Sequence, residues 1–480
     1  MKKLSELYDI NDDTLIKGIK INSKQIENGD LFVCTMGVNA DRHDFIDEAI
    51  KNGASAIVVS KEVGKKDVPI IKVKNTNDEL SKICQKFYDY PEEELTMIGI
   101  TGTDGKTTTA TIIQTLLTDR RCGYIGTNGR AWAGKVKDDN PNTTPDETIL
   151  YKFLRDFKND ECNYAVMEAS SEGFFRRRLD NLEYDVSCYT NITSEHLNIH
   201  GSFENYLDCK KQLFKNTKKD GVSILNKDDK YYDEIRNSCN ASTILTYGKG
   251  KDNTLQIVDY KIKPEKTIIT FIYNKTEYTI KSPLLGDFNV YNLSAGLLVA
   301  LSLGFNIEEL IENVKHIKIS GRMEMLNTKT PYYIMVDYAH TPNGISNLLK
   351  FVNTLDINRS IVVIGQAGER DRLKRPKVGN VVVENASYAI FTYEDPRSED
   401  PKDICQDIIS ELKEKYNNYE IVIDRRKAIE KAVNMAEEKD MILILGKGNE
   451  TYEKLKNETI YFNDIEEGYR AVKLRETSSK

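Results

Sequence analysis

Residues 101–108 read TGTDGKTT, a spacing suited to holding a polyphosphate. Gly102 and Gly105 permit backbone conformations that a side chain would block, so successive N–H groups can converge on an anion. Lys106 supplies a point charge for terminal phosphates, and Thr107 places a hydroxyl where Mg²⁺ would sit. Thr103 and Thr108 belong to the same turn. The apolar run Met97, Ile98 and Ile100 predicts a buried strand before it. Ile112, Ile113, Leu116 and Leu117 predict a helix after it, whose N-terminal dipole favours negative charge. The strict pattern has glycine at position 100, where this chain has Ile100, so the motif is a shortened variant. Strand, Gly-Lys-Thr-Thr and helix coincide, which predicts a nucleotide triphosphate site.

Other candidates lie further along. In "YAVMEASSEGFFRRRL", Glu168 follows a strand pattern and could reach the metal of a Mg-nucleotide, or could be a solvated strand-end carboxylate. Ser170 and Ser171 offer hydroxyls nearby, and one of Arg176, Arg177 and Arg178 could grip a phosphate or carboxylate. His196 and His200 are spaced i, i+4, but Gly201 speaks against one long helix. No HExxH is present, which argues against hydrolytic zinc. Asn226-Lys227-Asp228-Asp229 matches the guanine-reading NKxD of GTPases, so a GTP-driven switch is a rival of another class. It would need a DxxG between the two motifs, and none is found, which favours ATP.

Composition narrows the class. At 480 residues the chain is long enough for about three domains. Hydrophobic residues make up 39% and charged ones 30%, an ordinary globular balance. A net charge of −7 argues against a nucleic-acid partner. No stretch approaches the apolar length of a bilayer span, and MKKLSELYDI lacks a signal-peptide core. The eight cysteines are scattered without a CxxC pair, as expected of reduced thiols in a cytoplasm.

Three regions follow from the patterning. Residues 1–94 alternate strand and helix patterns. Residues 95–319 open with the phosphate-binding strand and include a strand-rich insert, "TIITFIYNKTEYTI". Residues 320–480 alternate again through "YYIMVDYAH", "SIVVIGQAG", "YAIFTYEDP", "EIVIDRRKAI" and "MILILGKGN". Such alternation predicts parallel α/β domains with ligands beyond the carboxyl ends of the strands.

The ordered series "INSKQIENGDLFVCTMG", "DRHDFIDEAIKNGASAIVV", TGTDGKTTT, "NTTP", "MEASS", "TNITSEHLNIHGSFENYLDCKKQLF", "GDFNVYN", "SGRMEML", "VDYAHTP", "GERDRLKRP", "EDPRSEDP" and "GKGNETY" resembles the Mur ligases. Within them it is most similar to those that add an amino acid to a UDP-N-acetylmuramoyl dipeptide. The resemblance covers nearly the whole chain. It implies a small N-terminal uridine-nucleotide-binding α/β domain, a central P-loop ATPase α/β domain and a C-terminal Rossmann-like α/β domain. It also implies that ATP phosphorylates a substrate carboxylate, and that an amine then attacks the acyl phosphate.

Position by position, the resemblance gives Ser23 to the uridine site, and Asn142, Thr143 and Thr144 to the muramyl loop. Ser170 and Arg178 go to the same substrate. Lys106, Glu168, His196 and Lys210 would be catalytic. Thr107, Glu168, His196 and a carbamylated Lys210 would hold Mg²⁺; without the family, Lys210 reads as an exposed helical lysine. Asn289, Asn292 and Asp337 would hold ATP, and Arg322 a phosphate, although the two asparagines could equally be helix caps. Arg370, Asp395, Arg397, Gly446 and Glu450 would bind the far end of meso-diaminopimelate, with L-lysine or another amino acid as the alternative. The basic run from Arg370 to Lys377 reads as surface or as a carboxylate site. Several positions depart from the family: Asn22-Ser23-Lys24 for DSR, Asp104 for Asn, Glu172 for His, Ser194-Glu195 for Arg-Asp before His196, EDPR for DNPR, and GKGNE for GKGHE. They leave room for a divergent paralogue. Folylpolyglutamate synthetase shares the central core, but the N-terminal pattern speaks against it. The expected partners are small molecules only, with no nucleic acid or membrane, in a cytoplasmic monomer.

Overall fold

Apolar β-branched runs bounded by polar or glycine residues become parallel strands here, and those strands carry the candidate residues at their ends. The computed structural model describes every residue except 38–39, 118–120, 138–139, 141, 194–196, 413, 415 and 479–480. The chain packs as two compact units. One comprises Met1–Ile257, Ile272–Thr276 and Tyr291–Leu310, the other Val258–Phe271, Glu277–Val290 and Ile311–Lys480.

The first unit holds three sheets, the smallest a pairing of Lys2–Lys3 with Leu15–Ile16. A four-stranded parallel sheet runs in the order Gly18–Lys20, Asp30–Val33, Ala56–Val59, Ile70–Lys72. Its inner strands are buried on both faces, as parallel strands covered by helices must be. The largest sheet includes six parallel strands in the order Cys122–Gly126, Tyr164–Glu168, Thr96–Thr101, Tyr184–Tyr189, Thr217–Asn226, Thr243–Gly248. The chain leaves Thr96–Thr101 towards one edge and later returns to its other side. The crevice at that switch point is where such sheets bind ligands. Lys106–Leu116 is the helix anticipated after the turn, and Ile112, Ile113, Leu116 and Leu117 are all buried.

Gly201 does break the helix, as its spacing suggested. Leu197–His200 is a single turn, Gly201 takes a φ of +75°, and Phe203–Lys215 starts afresh with Ser202 capping the N–H of Asn205. The helix Glu147–Asn159 is capped by Asp146, which accepts from the N–H groups of Thr148 and Ile149. Glu147 itself turns inward, and burial pushes its carboxyl up to about 8.

In the second unit, parallel strands run in the order Tyr333–Asp337, Met441–Leu445, Ser360–Ile364, Tyr388–Phe391, Tyr419–Ile421, with Glu324–Met325 antiparallel at the edge. Two fully buried arginines tie helices and loops together. Arg425 pairs bidentately with Asp464 at 2.8 and 2.6 Å. Arg375 pairs with Glu399 and Asp407. Arg375 therefore corrects the surface reading of the basic run, because it is an internal tie. Among the described residues no helix is long and apolar enough to cross a membrane.

Two stability measurements follow. Removing one charge of a buried pair leaves the other stranded, so Asp464→Asn should lower unfolding free energy by about 3–5 kcal/mol in urea titrations. Glu147 keeps a proton in the folded chain that the unfolded chain releases, so its contribution falls as pH rises from about 5 to 8. Glu147→Gln should therefore gain on the wild type across that window, by up to about 1.4 kcal/mol per pH unit. A constant difference would mean that Glu147 is ionised in the fold.

Candidate functional site

The phosphate-binding turn is pressed against the neighbouring strand end. A Cβ on Gly102 would lie 1.8 Å from the Thr190 hydroxyl, and one on Gly105 2.3 Å from Asn292 Oδ1. Gly105 also takes a φ of +81° as it enters the helix at Lys106. Both positions therefore require glycine. The turn is fastened by its own main chain. Thr103 N–H donates to Asn191 O at 2.8 Å, Asp104 N–H to Asn191 Oδ1 at 3.0 Å, and the Thr190 hydroxyl to Asp104 O at 2.7 Å. The Thr103 hydroxyl is buried against Tyr206. Gly105 cannot cap the helix with a side chain, so the first turn, with Thr107 and half-buried Thr108, presents its N–H groups as an anion site. Lys106 Nζ donates to Gly102 O at 2.9 Å and Thr103 O at 2.7 Å, which keeps the ammonium over the turn.

Glu168 ends the adjacent strand and is fully buried, so the solvated reading is wrong. Its Oε1 accepts from the Tyr124 hydroxyl at 2.7 Å and Thr127 N–H at 3.0 Å. Its Oε2 accepts from the Thr107 hydroxyl at 2.9 Å and the Thr127 hydroxyl at 3.2 Å. The muramyl-loop candidates are tied to the same residue, directly or through Thr127. Thr143 exchanges a hydrogen bond with Thr127, and Thr144 donates to the Glu168 carbonyl at 2.8 Å. Ser170 N–H donates to Thr144 Oγ1, and Arg178 to Thr144 O at 2.9 Å. Ser170 also caps the following short helix. Asn142 is exposed on the same loop. Tyr124 and Thr127 escaped the sequence reading. The available signal was Gly126-Thr127 at the end of a strand pattern, the same placement that singled out Glu168.

Lys210 is buried, which overturns the exposed-lysine reading, and its Nζ donates to Gly102 O at 2.6 Å. His196 lies outside the described residues. His200 is buried beside Ser171 at 3.1 Å, between Phe175 and Tyr206. Among the described residues no cluster of three His, Cys, Asp or Glu could hold a metal unaided. The oxygen donors present, a carboxylate and a hydroxyl 2.9 Å apart beside a phosphate turn, nevertheless fit Mg²⁺, which takes few protein ligands and completes its shell with phosphate and water. The NKxD match does not read a base. Asn226 is buried and donates to Thr190 O at 2.7 Å, while Asp228 accepts from the Tyr291 hydroxyl and Lys249 N–H.

Asn289 and Asn292 lie inside the helix Asp287–Ser302 and are buried, with Asn289 donating to Leu285 O at 2.7 Å. They are not caps. In the turn after the strand Gly18–Lys20, Ser23 borders a cavity of about 500 Å³ that Lys24, Arg42, Phe45 and Arg176 also line. Cations beside an aromatic ring suit a nucleotide.

In the second unit, Asp337 closes its strand and accepts at 2.7 Å from the N–H groups of Met323 and Ala339. Burial raises its pKa. Arg322 is exposed with its guanidinium over the Tyr338 ring. Gly368 N–H donates to Asp395 O, so the loops carrying Arg370 and Arg397 run side by side; Arg370 is exposed. Lys447, wholly buried, donates to Asp395 Oδ1 at 2.8 Å and Glu450 Oε2 at 3.0 Å. Gly446 takes a φ of +115°, and a Cβ there would meet Glu394 at 2.9 Å. Burial pushes the Glu394 carboxyl up to about 7. Arg397 sits in the left-handed region at φ +54°, and its Nε is buried without a hydrogen-bond partner among the described residues. Backbone strain and an unmatched donor thus coincide at this residue.

Three family descriptions match in order. They are "Mur ligase family, catalytic domain" over residues 15–89, "Mur ligase middle domain" over 100–300 and "Mur ligase, glutamate ligase domain" over 321–448. The chain is 36% identical to the UDP-N-acetylmuramoyl-L-alanyl-D-glutamate–2,6-diaminopimelate ligase of Clostridium perfringens, covering 97% of this chain and 96% of the relative. It is 33% identical to the enzyme of that name from Oceanobacillus iheyensis, covering 99% of each. A solved structure of a ligase with the same name superposes with a TM-score of 0.75 at 28% identity, covering 99% of both chains. Thermotoga maritima MurF in complex with ADP shares the fold at a TM-score of 0.61 and 20% identity, covering 98% of this chain and all of the other. With its phosphate turn, buried strand-end carboxylate and three matched domains, the chain belongs to the Mur ligase family.

Proposed function

We propose that this ATP-dependent ligase joins meso-diaminopimelate to UDP-N-acetylmuramoyl-L-alanyl-D-glutamate, in the cytoplasm and as a monomer. The observation that carries the choice of amino acid is the placement of Arg397, with its unmatched buried Nε, two residues beyond Asp395, whose carboxylate shares Lys447 with Glu450. A guanidinium and carboxylates on adjoining loops suit a distal head that bears both a carboxylate and an ammonium. Lysine offers only the ammonium. The relatives named for diaminopimelate support the same reading.

The reaction asks for neutralisation, because a carboxylate must approach a γ-phosphate. Lys106 and the N–H groups at the start of its helix counter the phosphate charge. Thr107 and Glu168 would hold Mg²⁺, which supplies further charge for the transfer. The substrate carboxylate oxygen attacks the γ-phosphorus and ADP departs. The amine then attacks the acyl carbon, phosphate departs, and the amine proton is lost to solvent. Lys210 points its Nζ at the phosphate turn. As a carbamate it would be an oxygen donor towards a second Mg²⁺ rather than a repelling cation. Ser23 and the cations of the N-terminal cavity would take the uridine nucleotide, and Thr143, Thr144, Ser170 and Arg178 the muramoyl dipeptide. Asn289, Asn292, Arg322 and Asp337 would hold ATP.

Phosphate release measured with ATP, Mg²⁺, the UDP-muramoyl dipeptide and each candidate amino acid tests this directly. Arg397→Ala should weaken use of diaminopimelate by roughly ten- to a hundredfold, from the loss of a charge-assisted pair. Lysine use should stay level or rise. A wild-type preference for L-lysine at equal concentration would overturn the assignment. Lys210→Ala should lose most activity and regain part of it when short carboxylic acids are added. Unchanged activity would make that lysine structural.

A further inference from the structure

Tyr124 stands on the strand Cys122–Gly126, paired in register with the strand that ends at Glu168. Its side chain is buried, and its hydroxyl donates to Glu168 Oε1 at 2.7 Å while accepting from Asn128 N–H at 3.4 Å. Gly126 makes room for this pair, since a Cβ there would lie 2.1 Å from Glu168 Oε1 and 2.4 Å from the phenol oxygen.

The two carboxylate oxygens are treated differently. Oε1 is fastened by a buried phenol and by a main-chain N–H that cannot turn away. Oε2 meets two threonine hydroxyls, which can rotate about their own bonds. One edge of Glu168 is therefore locked and the other can exchange its partners for a cation. We propose that Tyr124 is a positioning residue for the magnesium–nucleotide, anchoring Oε1 so that Oε2 alone faces the cation beside Thr107. This rests on the reading of Glu168 as a Mg²⁺ ligand.

The test is calorimetric titration of ADP into Tyr124→Phe, Glu168→Gln and wild-type enzyme, with and without Mg²⁺. The phenylalanine ring keeps the packing and removes one donor to a charged group, so Mg²⁺-dependent ADP affinity should fall about tenfold. ADP binding without metal should not change, which a merely structural role would not predict. If Glu168→Gln keeps full Mg²⁺-dependent affinity, the ligand reading itself fails. If Glu168→Gln loses it while Tyr124→Phe keeps it, the positioning role fails. Should Tyr124→Phe not fold, Tyr124→Leu takes its place, and loss of fold in both makes Tyr124 a structural residue and overturns the proposal.

Discussion

An ionisable carboxylate with no solvent exposure is the constraint around which the first unit is arranged. Withdrawing a carboxylate from water costs several kcal/mol unless donors replace the lost hydration. Glu168 meets that condition with four hydrogen bonds drawn from three segments, the helix start, the neighbouring strand and the turn after it. Each donor depends on strand register. In the parallel pairing Val166 faces Tyr124, and a slip of one residue would send the tyrosine to the opposite face of the sheet. The sheet order is thus more than scaffolding. It sets which donors can reach the carboxylate, and through Thr143 and Thr144 it fixes the adjoining loop.

The second unit solves a related problem by different means. Four carboxylates, Glu394, Asp395, Glu450 and Glu453, gather near Lys447 and Arg425. Arg425 is already committed to Asp464, so Lys447 is the main counter-charge for Asp395 and Glu450. Burial pushes the Glu394 carboxyl towards its neutral form. An amide at position 395 could still accept from Lys447 but would leave Glu450 as the only charge it meets directly there. The aspartate found here closes a three-membered charge chain.

The elements most legible in the sequence were those whose function is written in the backbone. The turn from Gly102 to Thr107 showed itself because glycine, lysine and threonine fall at fixed offsets between a strand and a helix. The strands Tyr333–Asp337 and Met441–Leu445 showed as unbroken apolar runs. What stayed hidden depended on pairing between distant segments. Tyr124 reads as one more strand aromatic until the register sets it beside Glu168. Lys210 reads as an ordinary helical lysine until Phe203–Lys215 packs it under the turn. Arg375 sits in a run of charges that looks solvated, yet it is the member with no exposure. The NKxD match, already weakened by the missing DxxG, fails for the converse reason. Its residues have the right types, but the amide and the carboxylate are both committed to the protein's own groups.

The contact between Gly105 and Asn292 bears on how such a chain can change over time. The carboxamide oxygen occupies the volume that a methyl at position 105 would need. An alanine arising first at 105 collides, and a smaller residue arising first at 292 leaves a hollow behind the turn. Each step is harmful alone and tolerable only in company, so the two positions are joined by epistasis across a long stretch of sequence. A lineage could cross that valley only by a compensated double replacement, which makes the pair a barrier to drift.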